Sequence, residues 1–341
     1  MPPKVLLHGS GAIGTIYVYL LLQAGCSVTA VCRSNFSVTS SKGFTIDSAK
    51  YGKNIHIHPK VVQTPSDAAS QGPFDYVIVS TKALPGPKPS TTEIIKPAVS
   101  EGTTIVLIQN GIGIEEEYAA AFPNNPLISC VVYLPATQIS PGHIEMGILE
   151  ALQIGTYPST SSPSSPAHKA AQLFLETLNS GGGNTTLHPD IQLQRWIKLL
   201  INASWNPICA LTLSRDVAYL SSSTLAQPAA KAVMLEVIAI AQAKGYTQLD
   251  EAAVDKQLQV ALDRVGTKGI EPSMLVDVLQ GRRMEVEVIL GTPVRIARDL
   301  GVEVPRLEML YVLAKALDEA MALRQPGKSL AGDETAAVRD R

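Results

Sequence analysis

The N-terminal segment restricts the fold more than any other part of the chain. Lys4–His8 is a short apolar run typical of a strand, and the glycine-rich turn Gly9-Ser-Gly-Ala-Ile-Gly14 follows it directly. An apolar helical pattern then continues to Ala24, and residues 27–32 form a second strand-like run. Strand, glycine turn, helix and strand in this order predict the first βαβ unit of a Rossmann-type α/β domain.

The spacing of the three glycines is typical of dinucleotide binding. Gly9 permits the tight turn, Gly11 lets a pyrophosphate approach the backbone, and Gly14 lets the helix pack against the strand. The N-terminus of the helix supplies N–H donors and the positive end of its dipole. We predict that the turn binds the cofactor through Gly9, Ser10, Gly11, Ala12, Ile13 and Gly14. A glycine turn without function is the alternative, and the surrounding strand-helix-strand pattern argues against it.

The end of the second strand indicates which dinucleotide binds. An acidic residue about 20 residues beyond the glycines would bind the ribose hydroxyls of NAD. The strand instead ends in Cys32-Arg33-Ser34-Asn35, which contains no acid. Arg33 can hold a 2′-phosphate. We therefore predict NADP(H) as the cofactor, and a solvated arginine at a strand end is the alternative.

Two later strand-like runs also end in polar residues. Residues 75–82 end in Thr81-Lys82, and residues 103–109 lead into Asn110-Gly111. The carboxyl ends of parallel strands face the ligand in doubly wound sheets. This places Lys82 at the cofactor and Asn110 where nicotinamide and substrate should meet. A surface lysine and an ordinary Asn-Gly turn remain the alternatives.

Patterning further along the chain predicts where the α/β domain ends. Residues 127–133 and 147–154 are strand-like around a Pro141-Gly142 turn, and a glycine break follows at residues 181–183. Helical patterns then continue to about residue 323. We predict a Rossmann-type domain over residues 1–187, an all-α domain over 188–324 and a polar tail over 325–341.

A polar stripe marks the first helix of the second domain. Lys198, Asn202 and Asn206 follow one another at intervals of four residues in an otherwise apolar helical stretch that ends at Pro207. Spacing of this kind places the three side chains on one face of a helix. Because unpaired polar groups are costly in a core, the stripe predicts a polar cleft. The alternative is a lysine that extends to the surface beside two core amides. Pro207 should open the backbone near residues 202–206.

Glu285 is the remaining acid of interest. The pattern from Pro272 to Gly291 predicts one helix, in which Glu285 follows Ser273 by twelve residues. Spacing alone makes Glu285 a solvated helix charge.

Composition excludes several other classes of protein. The chain of 341 residues has a net charge of −2 and no long basic run, so we expect no nucleic-acid partner. Its four cysteines form no CxxC pair or histidine cluster, which indicates neither a metal site nor a disulfide framework. No apolar run is long enough to span a membrane. We expect a soluble, cytoplasmic protein.

Four motifs together resemble one family. They are Gly9-x-Gly-x-x-Gly14, Gln109-Asn-Gly111, Lys198-Leu-Leu-Ile-Asn-Ala-Ser-Trp-Asn206-Pro207 and Pro272-Ser-Met-Leu…Glu285. Their order and separations resemble the ketopantoate reductase (2-dehydropantoate 2-reductase) family from residue 4 to about residue 320. The resemblance implies an N-terminal Rossmann domain and an all-helical C-terminal domain like that of 6-phosphogluconate dehydrogenase.

The resemblance also implies a reaction and a role for each site residue. The implied reaction is the NADPH-dependent reduction of 2-dehydropantoate to pantoate in pantothenate biosynthesis. Lys198 would be the general acid, and Glu285 would bind the substrate hydroxyl and hold Lys198. Asn110, Asn202, Asn206 and Ser273 would fix the small-molecule carbonyl substrate. A homodimer through the helical domain is implied by the resemblance only.

Two positions depart from the family pattern. Arg215-Asp216-Val217 stands where the family commonly has Asn-Gly, and Ile289-Leu290-Gly291 stands where it often has Ile-Asn-Gly. These changes keep two alternatives open. One is a related reductase of a bulkier carbonyl compound in specialised metabolism, and the other is an NADP-binding regulator without turnover. The intact Lys198 and Glu285 argue against the regulator.

Overall fold

The chain forms two compact units. The computed structural model describes residues 2–323, except for Pro85, Pro87 and Ser161. One unit ends at Gln194 and the other begins at Arg195. The division falls within the helix Ile191–Asn202, whereas the sequence placed the limit between residues 187 and 188. The predicted polar tail, residues 325–341, lies outside the described residues.

An eight-stranded sheet forms the centre of the first unit. The strands of this sheet are β1 (Lys4–His8), β2 (Ser27–Val31), β5 (Lys60–Val62), β6 (Tyr76–Val79), β7 (Thr104–Leu107), β8 (Leu127–Tyr133), β11 (Ala151–Thr156) and β12 (Thr185–Leu187). Their order in the sheet is β12-β11-β8-β7-β6-β1-β2-β5. All neighbouring strands are parallel except β8 and β11, which pair antiparallel. The predicted Rossmann-type α/β fold is confirmed.

A second, four-stranded sheet has the order β4-β3-β10-β9. Its strands are β3 (Phe44–Ser48), β4 (Gly52–Ile57), β9 (Ala136–Ser140) and β10 (His143–Met146). The strand predicted over residues 147–154 was wrong in detail, because Pro141-Gly142 joins β9 to β10 and β11 begins only at Ala151. β9 is largely exposed, so it lacks the apolar alternation by which a half-buried strand is predicted.

Helices accompany the sheets of the first unit. They are α1 (Ala12–Gln23), α2 (Phe36–Lys42), α3 (Pro65–Ala68), α4 (Thr91–Ile95), α5 (Glu115–Ala121) and α6 (Pro166–Ser180). Within α1, Ile16, Tyr17, Leu20 and Leu21 are fully buried. A helix that is apolar on nearly all sides is stable only inside a core, which explains how the N-terminal glycine turn is anchored.

The second unit is helical in all the secondary structure that is described for residues 195–323, which confirms the predicted all-α domain. Its helices are α7 (Ile191–Asn202), which starts in the first unit, α8 (Trp205–Thr212), α9 (Asp216–Ser222), α10 (Ala226–Ala243), α11 (Glu251–Leu262), α12 (Ser273–Leu279), α13 (Thr292–Asp299) and α14 (Pro305–Leu323). A π-helical turn, Glu287–Gly291, leads into α13.

Among the helices that are described, none is by itself both long and apolar enough to cross a membrane. The bent pair Asp216–Ser222 and Ala226–Ala243 meets the criteria of length and composition when taken together.

Candidate active site

Of the three glycines in the turn between β1 and α1, only Gly11 has open space beside its Cα. A Cβ at Gly9 would lie 2.5 Å from the Thr81 nitrogen, and one at Gly14 would lie 2.3 Å from the Gly9 carbonyl oxygen. A Cβ at Gly11 would meet no atom within 4 Å. Close backbone packing at Gly9 and Gly14, with open space at Gly11, fits the approach of a dinucleotide pyrophosphate.

The turn is tied to the end of the neighbouring strand β2. Asn35 Nδ2 donates to the Ser10 carbonyl oxygen at 3.0 Å. Ser10 Oγ donates to the Val31 carbonyl oxygen at 3.1 Å. Ala12 and Ile13 open α1 and are partly exposed. Sequence reasoning missed Asn35. An asparagine directly before a helix is a usual capping residue, but the Asn35 side chain makes no capping bond and binds the glycine turn, a role that local spacing did not signal.

Arg33 is exposed at the carboxyl end of β2, close enough to the glycine turn to act on His8. Burial, and then the positive charge of Arg33, lower the pKa of His8 to about 4. The residue that was predicted to hold a 2′-phosphate therefore places its charge near the end of β1.

Lys82 and Asn110 follow adjacent strands of the sheet. Gln109 Nε2 donates to the Thr81 carbonyl oxygen at 2.8 Å, which ties the end of β7 to the end of β6. Ser80 Oγ donates to the Gly9 carbonyl oxygen at 2.9 Å. The structure thus places Lys82 and Asn110, both partly buried, at the strand edge that also carries the glycine turn.

The polar stripe of the helical unit lies on two helices rather than one. α7 ends at Asn202, Ala203 and Ser204 form a turn, and α8 begins at Trp205. The single helix predicted up to Pro207 was wrong, but the predicted opening of the backbone is present. Pro207 has no N–H to donate to the Ala203 carbonyl one turn before it. At the break itself, Ser204 Oγ donates to the Leu200 carbonyl oxygen at 2.6 Å.

Lys198 is the titratable group at the centre of this stripe. Burial and the positive charge of Arg195 lower the pKa of Lys198 to about 8, although the Glu285 carboxylate opposes this change. Arg195 is only 3% exposed and lies one helical turn before Lys198. Sequence reasoning missed Arg195, but its spacing of three residues from Lys198 on one helix was the signal.

Glu285 lies outside any helix, so the predicted helix from residue 272 to residue 291 was wrong. α12 ends at Leu279, and Gly281 adopts a φ of +64°. The Arg282 N–H then donates to the Asp277 carbonyl oxygen at 2.8 Å. A left-handed glycine with this bond ends a helix. Glu285 is 7% exposed, which contradicts its interpretation as a solvated charge.

Two of the three predicted substrate residues of this unit, Asn206 and Ser273, meet directly. Ser273 Oγ donates to Asn206 Oδ1 at 3.2 Å, and the Met274 N–H approaches the same oxygen at 3.5 Å. Asn202 and Asn206 are 8% and 4% exposed. The helical unit therefore brings Asn206 to Ser273, and it brings Lys198 within electrostatic reach of Glu285.

The departure at Asp216 has a structural explanation. This fully buried carboxylate accepts from Arg264 Nε at 2.8 Å and from Arg264 Nη2 at 2.6 Å through Oδ2. Its Oδ1 accepts from the Ile270 N–H at 2.8 Å. Protein groups thus neutralise the charge of this carboxylate. Leu290 lies within the π-helical turn and is fully buried.

Comparison with known proteins identifies the family. The model of ketopantoate reductase PanE/ApbA matches residues 5–159, and the model of its C-terminal part matches residues 190–318. The uncharacterised protein YDL144C of Saccharomyces cerevisiae is 31% identical over 99% of both chains. The crystal structure of 2-dehydropantoate 2-reductase from Methylococcus capsulatus superposes with a TM-score of 0.82 at 32% identity, covering 97% of this chain and all of the other. The chain belongs to the ketopantoate reductase family.

Membership in this family makes the chain an oxidoreductase of the ketopantoate reductase type, and members of the family bind NAD(P)H. A ternary structure of D-mandelate dehydrogenase with NADH and anilino(oxo)acetate has the same fold, with a TM-score of 0.81 at 20% identity over 94% of this chain and 99% of that one.

Proposed function

We propose that this ketopantoate reductase family member reduces a 2-oxo acid to a 2-hydroxy acid with NADPH. The first candidate reaction is 2-dehydropantoate to pantoate, a step of pantothenate biosynthesis. The observation that carries this proposal is the ammonium of Lys198, whose pKa is lowered to about 8 and which has the buried Glu285 as its counter-charge.

The chemistry of carbonyl reduction needs an acid of this kind. Bound NADPH would supply the hydride. As the hydride reaches the carbonyl carbon, negative charge develops on the oxygen, and a nearby cation both stabilises that charge and donates the proton. A pKa of about 8 keeps Lys198 largely protonated at neutral pH while making its proton easier to release than that of an ordinary lysine.

The amides of the helical unit have the polarity that a carboxylate requires. Because Asn206 Oδ1 accepts from Ser273, its Nδ2 group is oriented to donate to another acceptor. We propose that Asn206 and Asn202 donate to the substrate carboxylate and that Ser273 completes its binding. Glu285 would accept from the substrate hydroxyl and favour the protonated form of Lys198.

We propose NADP(H) as the cofactor because Arg33 is the charged side chain at the end of β2. The backbone of residues 9–14 would hold the pyrophosphate, and Lys82 and Asn110 would contact the rest of the cofactor. Since D-mandelate dehydrogenase binds NADH with the same fold, the choice between the cofactors would depend on the residues that meet the 2′-position, with Arg33 foremost.

We further propose that the protein forms a homodimer through α14. Met309, Val312 and Leu313 are 60%, 60% and 46% exposed and lie on one side of this helix. An exposed apolar stripe at this spacing is typical of a surface that another helix covers.

NADPH oxidation by the purified protein tests the function. Ketopantoate should be turned over efficiently, and Lys198→Ala should reduce turnover by about 100- to 10,000-fold while leaving NADPH affinity nearly unchanged. Lys256→Ala, at an exposed position on α11, is the matched control. Turnover that survives Lys198→Ala would falsify the assignment of the general acid.

The same assay separates the leading substrate from a bulkier one. The D-mandelate dehydrogenase that shares this fold was solved with anilino(oxo)acetate, an aromatic compound. The panel should therefore include aromatic and branched 2-oxo acids beside ketopantoate. Preferred turnover of one of these, with little activity on ketopantoate, would assign the protein to a related reductase with a different substrate.

A further inference from the structure

The segment that carries Glu285 has no helix of its own to fix it, yet a buried acid on α14 binds it just before Glu285. Asp318 is 2% exposed. Its carboxylate accepts from the Met284 N–H at 2.7 Å and from Arg283 Nε at 2.7 Å. Arg283 Nη2 approaches the same carboxylate at 2.6 Å. Three donors from two consecutive residues therefore fix the backbone immediately before Glu285.

α14 also binds the chain just after Glu285. The Glu287 carboxylate accepts from Tyr311 Oη at 3.0 Å and from Lys315 Nζ at 2.6 Å, and Arg295 donates to it from α13 at 2.9 Å. Tyr311, Lys315 and Asp318 follow one another at spacings of four and three residues, so they lie on one face of α14. Glu285 is thus fixed on both sides by the same helix.

The π-helical turn allows this close approach. A Cβ at Gly291 would lie 2.5 Å from Glu287 Oε2 and 2.9 Å from the Tyr311 ring. The Ile289 N–H donates to the Glu285 carbonyl oxygen at 3.2 Å and so joins Glu285 to the turn. π-helical turns are uncommon and often occur at functional sites.

We propose that Asp318 is a positioning residue, which holds the Glu285 carboxylate opposite the Lys198 ammonium through its bonds to Arg283 and Met284. The proposal rests on the proposed function, in which Glu285 and Lys198 act as a pair. The charged groups known to act on Lys198 are Arg195 and Glu285, both of the helical unit. The charged group that binds Asp318 is Arg283, and the Glu319 carboxylate acts in turn on Arg283.

Two substitutions of Asp318 separate its contributions. Asp318→Ala leaves the Met284 N–H without its acceptor and removes the partner of Arg283, so the segment before Glu285 loses all three bonds. Asp318→Asn keeps a carbonyl oxygen for the Met284 N–H but removes the ion pair. Displacement of Glu285 should weaken its attraction for the Lys198 proton, and the effect should be larger for alanine than for asparagine.

The experiment measures the protonation of Lys198 in the full-length protein without any substrate. Acetic anhydride labels neutral amines, and mass spectrometry of the Lys198 peptide as a function of pH gives the labelling midpoint. We expect Glu285→Gln to lower this midpoint by about one pH unit. Asp318→Ala should approach that shift, and Asp318→Asn should give a smaller one. Glu308→Gln, which alters an exposed ion pair between α14 and Arg298 of α13, should leave the midpoint unchanged.

Thermal melts establish that each variant is folded before it is labelled. A folded Asp318→Ala protein with the wild-type midpoint would overturn the proposal, because a purely structural anchor would change stability alone. If the alanine variant does not fold, Asp318→Asn decides by the same criterion. An unchanged labelling midpoint in Glu285→Gln would likewise overturn the proposal. Failure of the wild type to reduce any 2-oxo acid would count against the proposed function only, since the labelling needs no substrate.

Discussion

At the scale of single residues, three effects compete for the proton of Lys198. Burial and the nearby Arg195 disfavour the ammonium, whereas the Glu285 carboxylate favours it. The first two prevail, so the pKa falls from 10.5 to about 8. A general acid is most effective when its pKa lies near the working pH, and this balance brings Lys198 towards that range.

This balance predicts the pH dependence of the reduction. Lys198 must be protonated to act as the acid, and it is protonated below its folded-state pKa of about 8. We expect kcat/KM to be constant below this value and to fall about tenfold per pH unit above it. Glu285→Gln should move the falling limb to lower pH. Activity that is recovered on return to neutral pH controls for unfolding, and a rate that stays level well above the pKa would contradict the assignment.

Arg33 makes a separate prediction about the cofactor. Its charged hydrogen bonds to a 2′-phosphate would be lost in Arg33→Ala, so the dissociation constant of NADPH should rise by roughly 10- to 100-fold. The dissociation constant of NADH, which has no 2′-phosphate, should change little. Fluorescence titration of both cofactors provides the measurement, with Lys53→Ala as a control for an exposed cation in the same unit. Equal losses for both cofactors would remove Arg33 from the 2′-phosphate site.

At the scale of elements, the ends of helices decide where the site residues lie. The break after Asn202 places Asn206 on α8, where it meets Ser273 at the start of α12. The left-handed Gly281 ends α12 soon afterwards, which lets Glu285 depart from the helical direction and become buried. Two interruptions thus bring polar groups together that a continuous helix would have kept apart.

The buried Asp216 at the start of α9 predicts a contribution to stability. Asp216→Ala would leave Arg264 without its counter-charge and the Ile270 N–H without its acceptor. We expect the free energy of unfolding to fall by about 3 kcal/mol, as measured by urea denaturation. Glu308→Ala, in the exposed pair with Arg298, should cost less than about 1 kcal/mol. A small loss for Asp216→Ala, similar to that control, would show that the ion pair is dispensable for stability.

At the scale of the whole molecule, the proposed homodimer predicts an effect of a single charge on α14. Val312→Glu should place an unpaired carboxylate in an apolar contact and shift the protein to the monomer, as measured by sedimentation equilibrium. Leu225 is 72% exposed and lies outside α14, so Leu225→Glu should leave the assembly unchanged. A monomeric wild-type protein would show that the exposed stripe on α14 serves no self-association.

Much of the molecule could be predicted from local patterns. The strand Lys4–His8 and the glycine turn after it were identified from residues close together in the chain, because hydrophobic periodicity and glycine geometry are local properties. The same holds for the all-helical second unit and for the opening of the backbone before Pro207. Short or exposed strands such as β9 and β12 were missed, since they are stabilised by partners distant in the sequence.

The sequence by itself therefore determined the fold class and the identity of most candidate site residues. Only the tertiary structure decided their environments. It showed that Glu285 is buried, that Arg195 acts on Lys198 and that Arg264 neutralises Asp216. Burial and charge pairing depend on which segments pack together, and a pKa follows from that packing. Local spacing, which carries no record of distant neighbours, cannot supply either property.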